Sequence, residues 1–141
     1  ADLVKKHCVL HGKDIKTAKI LVSGLAFKGR PENDDLRGSP TVNLLNCLKE
    51  AGAKNIFGHD FVVKREAVVD LGITPCTLEE GFRGADCVLF MNNHESYEYL
   101  DIEKLLTQLN SSALFFDGWR MFDSKVVKSH NNITYEGLGE R

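Results

Sequence analysis

The sequence predicts a three-layer α/β/α fold built on a doubly wound parallel sheet. Short apolar runs alternate with helical patterns along the 141 residues, which is typical of right-handed βαβ units. The run CVLFM at 87–91 is apolar throughout, as expected for a strand that helices cover on both faces. A chain of this length forms one domain and can bury a sizeable core.

Five strands are expected, each an apolar run bounded by turn residues. The first precedes a glycine-containing loop, and the last is expected at the sheet edge. They are predicted at 19–23, 55–59, 87–91, 113–116 and 133–135.

Helices are expected where apolar residues recur three and four positions apart and where capping residues precede them. Ser39 and Pro40 mark the start of a helix that places Val42, Leu45 and Leu48 on one face. A capping box opens a later helix at 77–80, and an aspartate caps the next at 101. The helices are predicted at 1–12, where Gly12 ends the first, and at 41–51, 63–71, 77–84, 101–109 and 124–129.

Composition excludes several classes of protein. Hydrophobic residues make up 43% of the chain and charged residues 27%, which are ordinary globular values. The net charge of −2 argues against nucleic acid as the main partner, because phosphate-binding surfaces leave a basic excess. No apolar run approaches the ~20 residues of a membrane span, and the first residues lack the apolar core of a signal peptide. We therefore expect a cytoplasmic protein with no membrane partner.

The four cysteines are spaced unlike metal ligands. They are expected to be small buried hydrophobic groups in a reducing compartment, Cys87 within a strand and Cys47 within a helix. The four are Cys8, Cys47, Cys76 and Cys87.

A long loop between the first strand and the following helix is the most informative segment. It runs from Gly24 to Pro40, and loops longer than about 12–15 residues are usually functional in compact domains. Ligands of open parallel sheets bind outside the carboxyl ends of the strands. Lys28 and Arg37 lie in this loop, and the start of the next helix attracts anions. The loop therefore predicts a site for an anionic ligand.

Both cations also have a structural interpretation. Lys28 carries a point charge on a flexible stem, which suits a phosphate or a sugar hydroxyl, but an isolated lysine is often simply solvated. Arg37 either contacts the ligand or is held by Asp34 and Asp35. The two interpretations of Arg37 are compatible if the carboxylates orient its guanidinium.

A second polar segment, DGWR at 117–120, follows the strand predicted at 113–116. Parallel strand ends meet at one rim, so Arg120 and Lys28 are expected to converge there. Trp119 offers a flat face for a base or a ribose, or else covers the sheet edge. His94 is the histidine expected nearest this rim.

An orthodox dinucleotide site is not expected. The segment GLAF at 24–27 does not form G-x-G-x-x-G, and no acidic residue ends a strand about 20 positions later. Asp60 ends the second strand but lies too far along the chain, and it is interpreted as a helix or turn cap.

Residues 19–40, KILVSGLAFKGRPENDDLRGSP, resemble the opening of the C-terminal domain of the UDP-glucose/GDP-mannose dehydrogenase family. The segments GHD, ADCVLFMNNHESY, LFFDGWRMF and YEGLG follow in the family's order. The GLAFK…DDxRxSP element is specific, and the resemblance covers essentially the whole chain.

The resemblance implies a Rossmann-like domain that binds the UDP or GDP part of a nucleotide sugar. The family oxidises the sugar C6 alcohol to a carboxylate with two NAD⁺ in succession, a step in polysaccharide biosynthesis. Residues 1–12 would be the end of a central helical region through which members form homodimers, and residues 13–141 the C-terminal nucleotide-sugar-binding domain. NAD would be bound mainly by an N-terminal domain absent from this chain. The family's catalytic cysteine lies in a GGxC context, which Cys8 does not match.

Carried onto this sequence, the resemblance implies that Phe27 and Lys28 touch the nucleotide sugar. Arg37 matches the arginine that reaches toward the NAD side of the cleft between domains. The family often has an arginine directly after Asp-Gly that contacts the nucleotide. Trp119 occupies that position here and Arg120 follows it, so both are candidate substrate contacts.

We therefore expect part of an NAD-dependent nucleotide-sugar 6-dehydrogenase whose partners are a UDP-sugar or GDP-sugar and the rest of the same polypeptide. Alone, this chain is expected to bind nucleotide sugars weakly and to lack dehydrogenase activity. One alternative is a freestanding regulatory module that senses a nucleotide without catalysis. Another is a domain used only for dimer or domain packing.

Overall fold

The computed structural model describes residues 1–26, 35–36, 39–130 and 132–137. Within these residues, six parallel strands form one sheet in the order β3-β2-β1-β4-β5-β6. The strands are β1 (Ile20–Ser23), β2 (Ile56–His59), β3 (Thr74–Pro75), β4 (Cys87–Phe90), β5 (Leu114–Asp117) and β6 (Thr134–Gly137).

Six α-helices and one short 3₁₀ helix connect and cover the strands in the described part of the chain. The 3₁₀ helix at Glu95–Tyr99 follows β4. The α-helices are α1 (Asp2–Leu10), α2 (Pro40–Glu50), α3 (Arg65–Asp70), α4 (Leu78–Phe82), α5 (Ile102–Leu106) and α6 (Ser124–Lys128).

Alternation along the strands divides the core into two layers. Ile20 and Val22 of β1 belong to the cluster formed with α1, α2 and α3. Leu21 belongs to the opposite cluster, formed with α4, α5 and α6. Because both faces are covered, every residue of β1 and β4 is buried, and the predicted three-layer α/β/α arrangement is confirmed.

The strand order creates a topological switch point between β1 and β4. The chain moves outward from β1 to β3 and then returns to place β4 on the other side of β1. Ser23, His59, Phe90 and Asp117, the last residues of β1, β2, β4 and β5, pair with one another in register. The segments that follow these four residues therefore leave the sheet at one level, along the edge where such folds bind ligands.

The local signals at helix starts are confirmed. Ser39 caps α2 by accepting a hydrogen bond from the Thr41 N–H, and Pro40 is the first helical residue. Thr77 and Glu80 form both bonds of a capping box. These short-range patterns are reliable because both partners lie within three residues of each other.

Two expectations were wrong. The sheet has a sixth strand, β3, at its edge. It contains only Thr74 and Pro75, a composition with weak strand propensity. Cys47 is exposed rather than buried, because α2 turns Thr41, Leu45 and Leu48 toward the core. Every helix among the described residues is too short to cross a membrane.

Helix α1 is part of the domain body. Val4 and Cys8 lie in the core cluster beneath the sheet. The His7 ring nitrogen Nε2 lies 2.7 Å from the carbonyl oxygen of Ser112. Gly12 follows the helix with a φ of +65°, which places the end of the helix where the sequence predicts it.

Truncation of a core leucine on α2 tests this packing. Leu48 is fully buried, whereas Leu10 on α1 is 79% exposed. We expect Leu48→Ala to lower the free energy of unfolding by about 2–5 kcal/mol, and Leu10→Ala to change it by less than about 0.5 kcal/mol. Urea unfolding of both variants measures the difference, and equal losses would contradict the packing described.

Candidate functional site

The loop after β1 is fixed by a carboxylate at the end of β2. Asp60 Oδ2 accepts hydrogen bonds from the backbone N–H groups of Leu25 and Ala26, at 2.8 and 3.0 Å. Its other oxygen, Oδ1, accepts from the N–H groups of Val62 and Val63, at 2.8 and 3.0 Å. Asp60 therefore caps its own turn, as predicted, and also holds the first residues of the long loop.

The first turn of α2 holds the same segment from the other side. The Ser39 hydroxyl donates to the carbonyl oxygen of Leu25 at 2.8 Å, and the Thr41 hydroxyl donates to that of Gly24 at 3.0 Å. Both hydroxyl groups are buried. The N-terminal end of α2, with its partial positive charge, is thereby attached directly to the start of the loop.

Gly24 is the point where β1 meets the residues after β4. Its φ is +92°, and a Cβ atom there would lie 2.6 Å from the backbone nitrogen of Asn92 and 2.8 Å from the Asn92 side-chain carbon Cγ. A side chain at this position is therefore excluded by both backbone conformation and space. The absence of a side chain lets the chain segment after β4 lie directly against the start of the loop.

A second buried carboxylate fixes the turn after β5. Asp117 Oδ2 accepts from the Phe122 N–H at 2.8 Å and from the Tyr135 hydroxyl at 3.0 Å. Asp117 Oδ1 accepts a hydrogen bond from the backbone N–H of Trp119 at 3.3 Å. Since Asp117 is fully buried, this carboxylate acts on the backbone of the turn rather than on a ligand.

The structure places Trp119 and Arg120 at the predicted edge of the sheet. The Trp119 side chain is 52% exposed, and its indole N–H donates to the Met91 carbonyl oxygen at 3.3 Å. Arg120 has a φ of +53°, an uncommon backbone conformation for a residue with a side chain. Its guanidinium is exposed and has no hydrogen-bond partner within the ranges that the structure describes.

A polar and aromatic cluster lies beneath this edge. The Ser23 hydroxyl oxygen lies 2.9 Å from His59 Nδ1 and 2.7 Å from the Tyr97 hydroxyl oxygen. The Phe61 ring is in contact with the rings of His59, His94 and Tyr97. Burial lowers the pKa of His59 to about 4 and raises that of Tyr97, so both side chains are neutral at pH 7.

The other predicted site residues either lie outside the described residues or make a structural contact. Phe27, Lys28 and Arg37 lie outside the described residues, so their roles remain predictions. His94 is a structural residue: it is 6% exposed, and its Nδ1 accepts a hydrogen bond from the Ser96 N–H at the start of the 3₁₀ helix.

The described residues do not fit an orthodox NAD site. A dinucleotide fold uses an acidic residue to bind the ribose hydroxyls. The carboxylate at the end of β2 has about four acceptor positions, and four backbone N–H groups occupy them. Asp60 therefore has no acceptor left for a ribose. No group of three metal-ligating side chains occurs among the residues described.

Residues 21–124 match the sequence profile of the UDP-glucose/GDP-mannose dehydrogenase family, UDP binding domain. The chain is 30% identical over 130 residues to a UDP-glucose 6-dehydrogenase of Rhizobium meliloti, covering 91% of this chain and 29% of that protein. It is 29% identical over 140 residues to a UDP-glucose 6-dehydrogenase of Haloferax volcanii, covering 97% and 29% respectively. This chain thus spans under a third of the length of these curated relatives.

A solved structure with a similar fold is that of an NDP-N-acetyl-D-galactosaminuronic acid dehydrogenase from Methanosarcina mazei Go1. Its TM-score is 0.78 at 24% identity, over 99% of this chain and 28% of that chain. This likeness confirms the Rossmann-like fold class.

Replacing Asp60 by asparagine tests the role of its carboxylate. The amide group of Asp60→Asn cannot accept at its nitrogen, so N–H groups of the loop or the turn lose their acceptor. We expect a loss of about 1–3 kcal/mol in the free energy of unfolding for each N–H left unpaired. We also expect faster amide hydrogen exchange at Leu25 and Ala26. Asp70→Asn, at the exposed end of α3, is the matched control, and unaltered exchange at Leu25 and Ala26 in Asp60→Asn would contradict this role.

The lowered pKa of His59 predicts that the folded chain becomes less stable as the pH decreases. Burial lowers the pKa to about 4 from an ordinary value of 6.5, an effect that the Asp60 and Glu79 carboxylates oppose and His94 reinforces. Between these two pH values the unfolded chain binds a proton that the folded chain does not. Stability is therefore highest above pH 6.5 and falls as the pH decreases toward 4, by up to about 3 kcal/mol from this residue.

Histidine NMR shifts and urea unfolding between pH 4 and pH 7 measure this effect. His59→Gln should remove the signal that titrates near pH 4 and weaken the pH dependence of unfolding. His11→Gln, at the exposed residue that caps the C-terminal end of α1, is the control. A His59 signal that titrates near pH 6.5 would show that the imidazole is not desolvated.

Proposed function

We propose that this chain, which belongs to the UDP-glucose/GDP-mannose dehydrogenase family as its UDP-binding domain, binds the diphosphate of a nucleotide sugar at the carboxyl edge of its sheet. The observation that carries the proposal is the register of β1, β4 and β5. Their last residues lie at one level, so the start of the loop after β1 and the turn after β5 leave the sheet along the same edge.

The distance between these two segments suits one ligand. Neighbouring strands lie about 4.8 Å apart, so β1 and β5, which flank β4, are separated by about 10 Å. Both segments are held by carboxylates through backbone N–H groups, which reduces the entropy lost when a ligand binds. A nucleotide diphosphate bound over β4 would reach both segments.

Each predicted contact then has a chemical role. Lys28 would place an ammonium group near the diphosphate, and Phe27 would adjoin the sugar or the base. The exposed ring of Trp119 offers a stacking surface, and the exposed guanidinium of Arg120 offers a charge-assisted hydrogen bond to a phosphate oxygen. The crevice would thus bind and orient the substrate.

The oxidation itself is proposed for a longer polypeptide. An N-terminal domain would hold NAD, the hydride acceptor for the sugar C6 alcohol, since the described residues of this chain do not fit that cofactor. Arg37 would face the NAD side of the cleft. Residues 1–12, which include α1, would form the end of a central dimerisation region, with residues 13–141 as the nucleotide-sugar-binding domain. We propose a cytoplasmic enzyme whose present segment binds substrate without oxidising it.

Intrinsic fluorescence tests the proposed binding on the chain itself. Trp119 is the only tryptophan in the sequence and lies at the rim of the crevice, so a bound nucleotide should change its emission. We expect saturable titrations with UDP and UDP-glucose and weaker binding of NAD. Lys28→Ala should weaken UDP binding by about 10- to 100-fold, the effect of losing one charge-assisted hydrogen bond.

Lys54→Ala is the matched control, because Lys54 is exposed before β2 at the opposite edge of the sheet. Calorimetric titration of the same ligands provides a measurement independent of Trp119. Binding of NAD more tightly than any UDP or GDP compound would reverse the assignment. Equal losses in the two lysine variants would remove Lys28 from the site.

A further inference from the structure

Asn92 is a buried amide at the switch point whose nitrogen has no assigned role. The residue is 3% exposed. Its Oδ1 lies 3.3 Å from the backbone nitrogen of His94, which donates to it. In a side-chain amide only the oxygen accepts a hydrogen bond, so this contact fixes which end of the amide is the oxygen and which is Nδ2.

The Nδ2 group of Asn92 has no hydrogen-bond partner within the ranges that the structure describes. Side-chain donors that are this deeply buried almost always have a partner. Leaving such a group unpaired costs about 1–3 kcal/mol. An unpaired donor buried at the proposed ligand site therefore indicates a partner other than the described residues.

The surroundings of Asn92 favour an anion as that partner. The side-chain carbon Cγ of Asn92 lies over Gly24, where a Cβ atom would be 2.8 Å away. The Gly24 carbonyl oxygen accepts from the Thr41 hydroxyl in the first turn of α2, an 11-residue helix. Gly24 therefore contacts both the Asn92 amide and the N-terminal end of α2, which carries a partial positive charge.

The carboxylate that holds the start of the loop, that of Asp60, does not oppose an anion strongly. Asp60 accepts four backbone N–H bonds, and these partly balance its charge.

Asn92 itself follows Met91, whose N–H donates to the Ser23 carbonyl oxygen at 2.8 Å. The amide therefore lies directly between the ends of β1 and β4.

We infer that Asn92 Nδ2 donates a hydrogen bond to a diphosphate oxygen of the ligand at the switch point. The inference rests on the proposed function and adds a contact to it: the amide recognises the diphosphate rather than the base. It also assigns a use to Gly24, whose missing side chain lets the amide approach the loop.

Two substitutions test the contact by UDP titration of the chain. Asn92→Asp keeps the oxygen that accepts from His94 and replaces the donor with a carboxylate that repels phosphate. Asn92→Ala removes the donor without adding charge and serves if the aspartate variant does not fold. We expect both to weaken UDP binding by about 10- to 100-fold and to change uridine binding by less than about twofold, because uridine has no diphosphate.

Asn46→Asp, which adds the same charge on the exposed face of α2, should leave UDP binding unchanged. The inference is overturned if a folded Asn92→Ala variant binds UDP as the wild type does, since a water molecule then satisfies the donor. It is also overturned if UDP and uridine lose affinity equally, because the amide then contacts the nucleoside. If the wild-type chain binds neither UDP nor UDP-glucose, the proposed function and the inference both fail. If the wild-type chain binds UDP and the folded Asn92→Ala variant binds it equally well, the inference alone fails.

Discussion

The site depends first on one carboxylate, that of Asp60. Four backbone N–H groups share its two oxygens, two from the loop after β1 and two from the turn after β2. The same bonds have two consequences. They give the long loop a fixed starting point, and they leave no acceptor with which Asp60 could bind the ribose of a dinucleotide. The described residues thus form the doubly wound architecture of dinucleotide-binding folds. The acidic residue that follows the second strand, however, binds backbone N–H groups rather than a ribose.

Asp117 plays the same part three strands away, at the end of β5. It is buried and accepts hydrogen bonds from the backbone of the turn that carries Trp119 and Arg120. Between the two clamped segments lies the end of β4, where Met91 accepts the Trp119 indole N–H and Asn92 covers Gly24. Backbone held by hydrogen bonds on both sides would leave the proposed crevice largely formed before its ligand arrives.

Local signals in the sequence predicted much of the fold. The Ser39 cap, the capping box at Thr77 and the apolar β4 run are each determined by residues within a few positions, and the structure confirms them. Contacts between distant segments were missed for a physical reason. The bond from Leu25 to Asp60 joins residues 35 positions apart, and only the pairing of β1 with β2 brings them together. The unpaired amide of Asn92 likewise becomes visible only when its surroundings are known.

In the proposed function, the segments after β1, β4 and β5 line one ligand crevice. Backbone amide chemical shifts recorded during a UDP titration test it most directly. We expect Leu25, Asn92 and Trp119 to shift together with a single Kd, while Ala53 and Lys54 at the opposite edge do not shift. Shifts confined to one of the three segments, or shifts at the opposite edge, would contradict it.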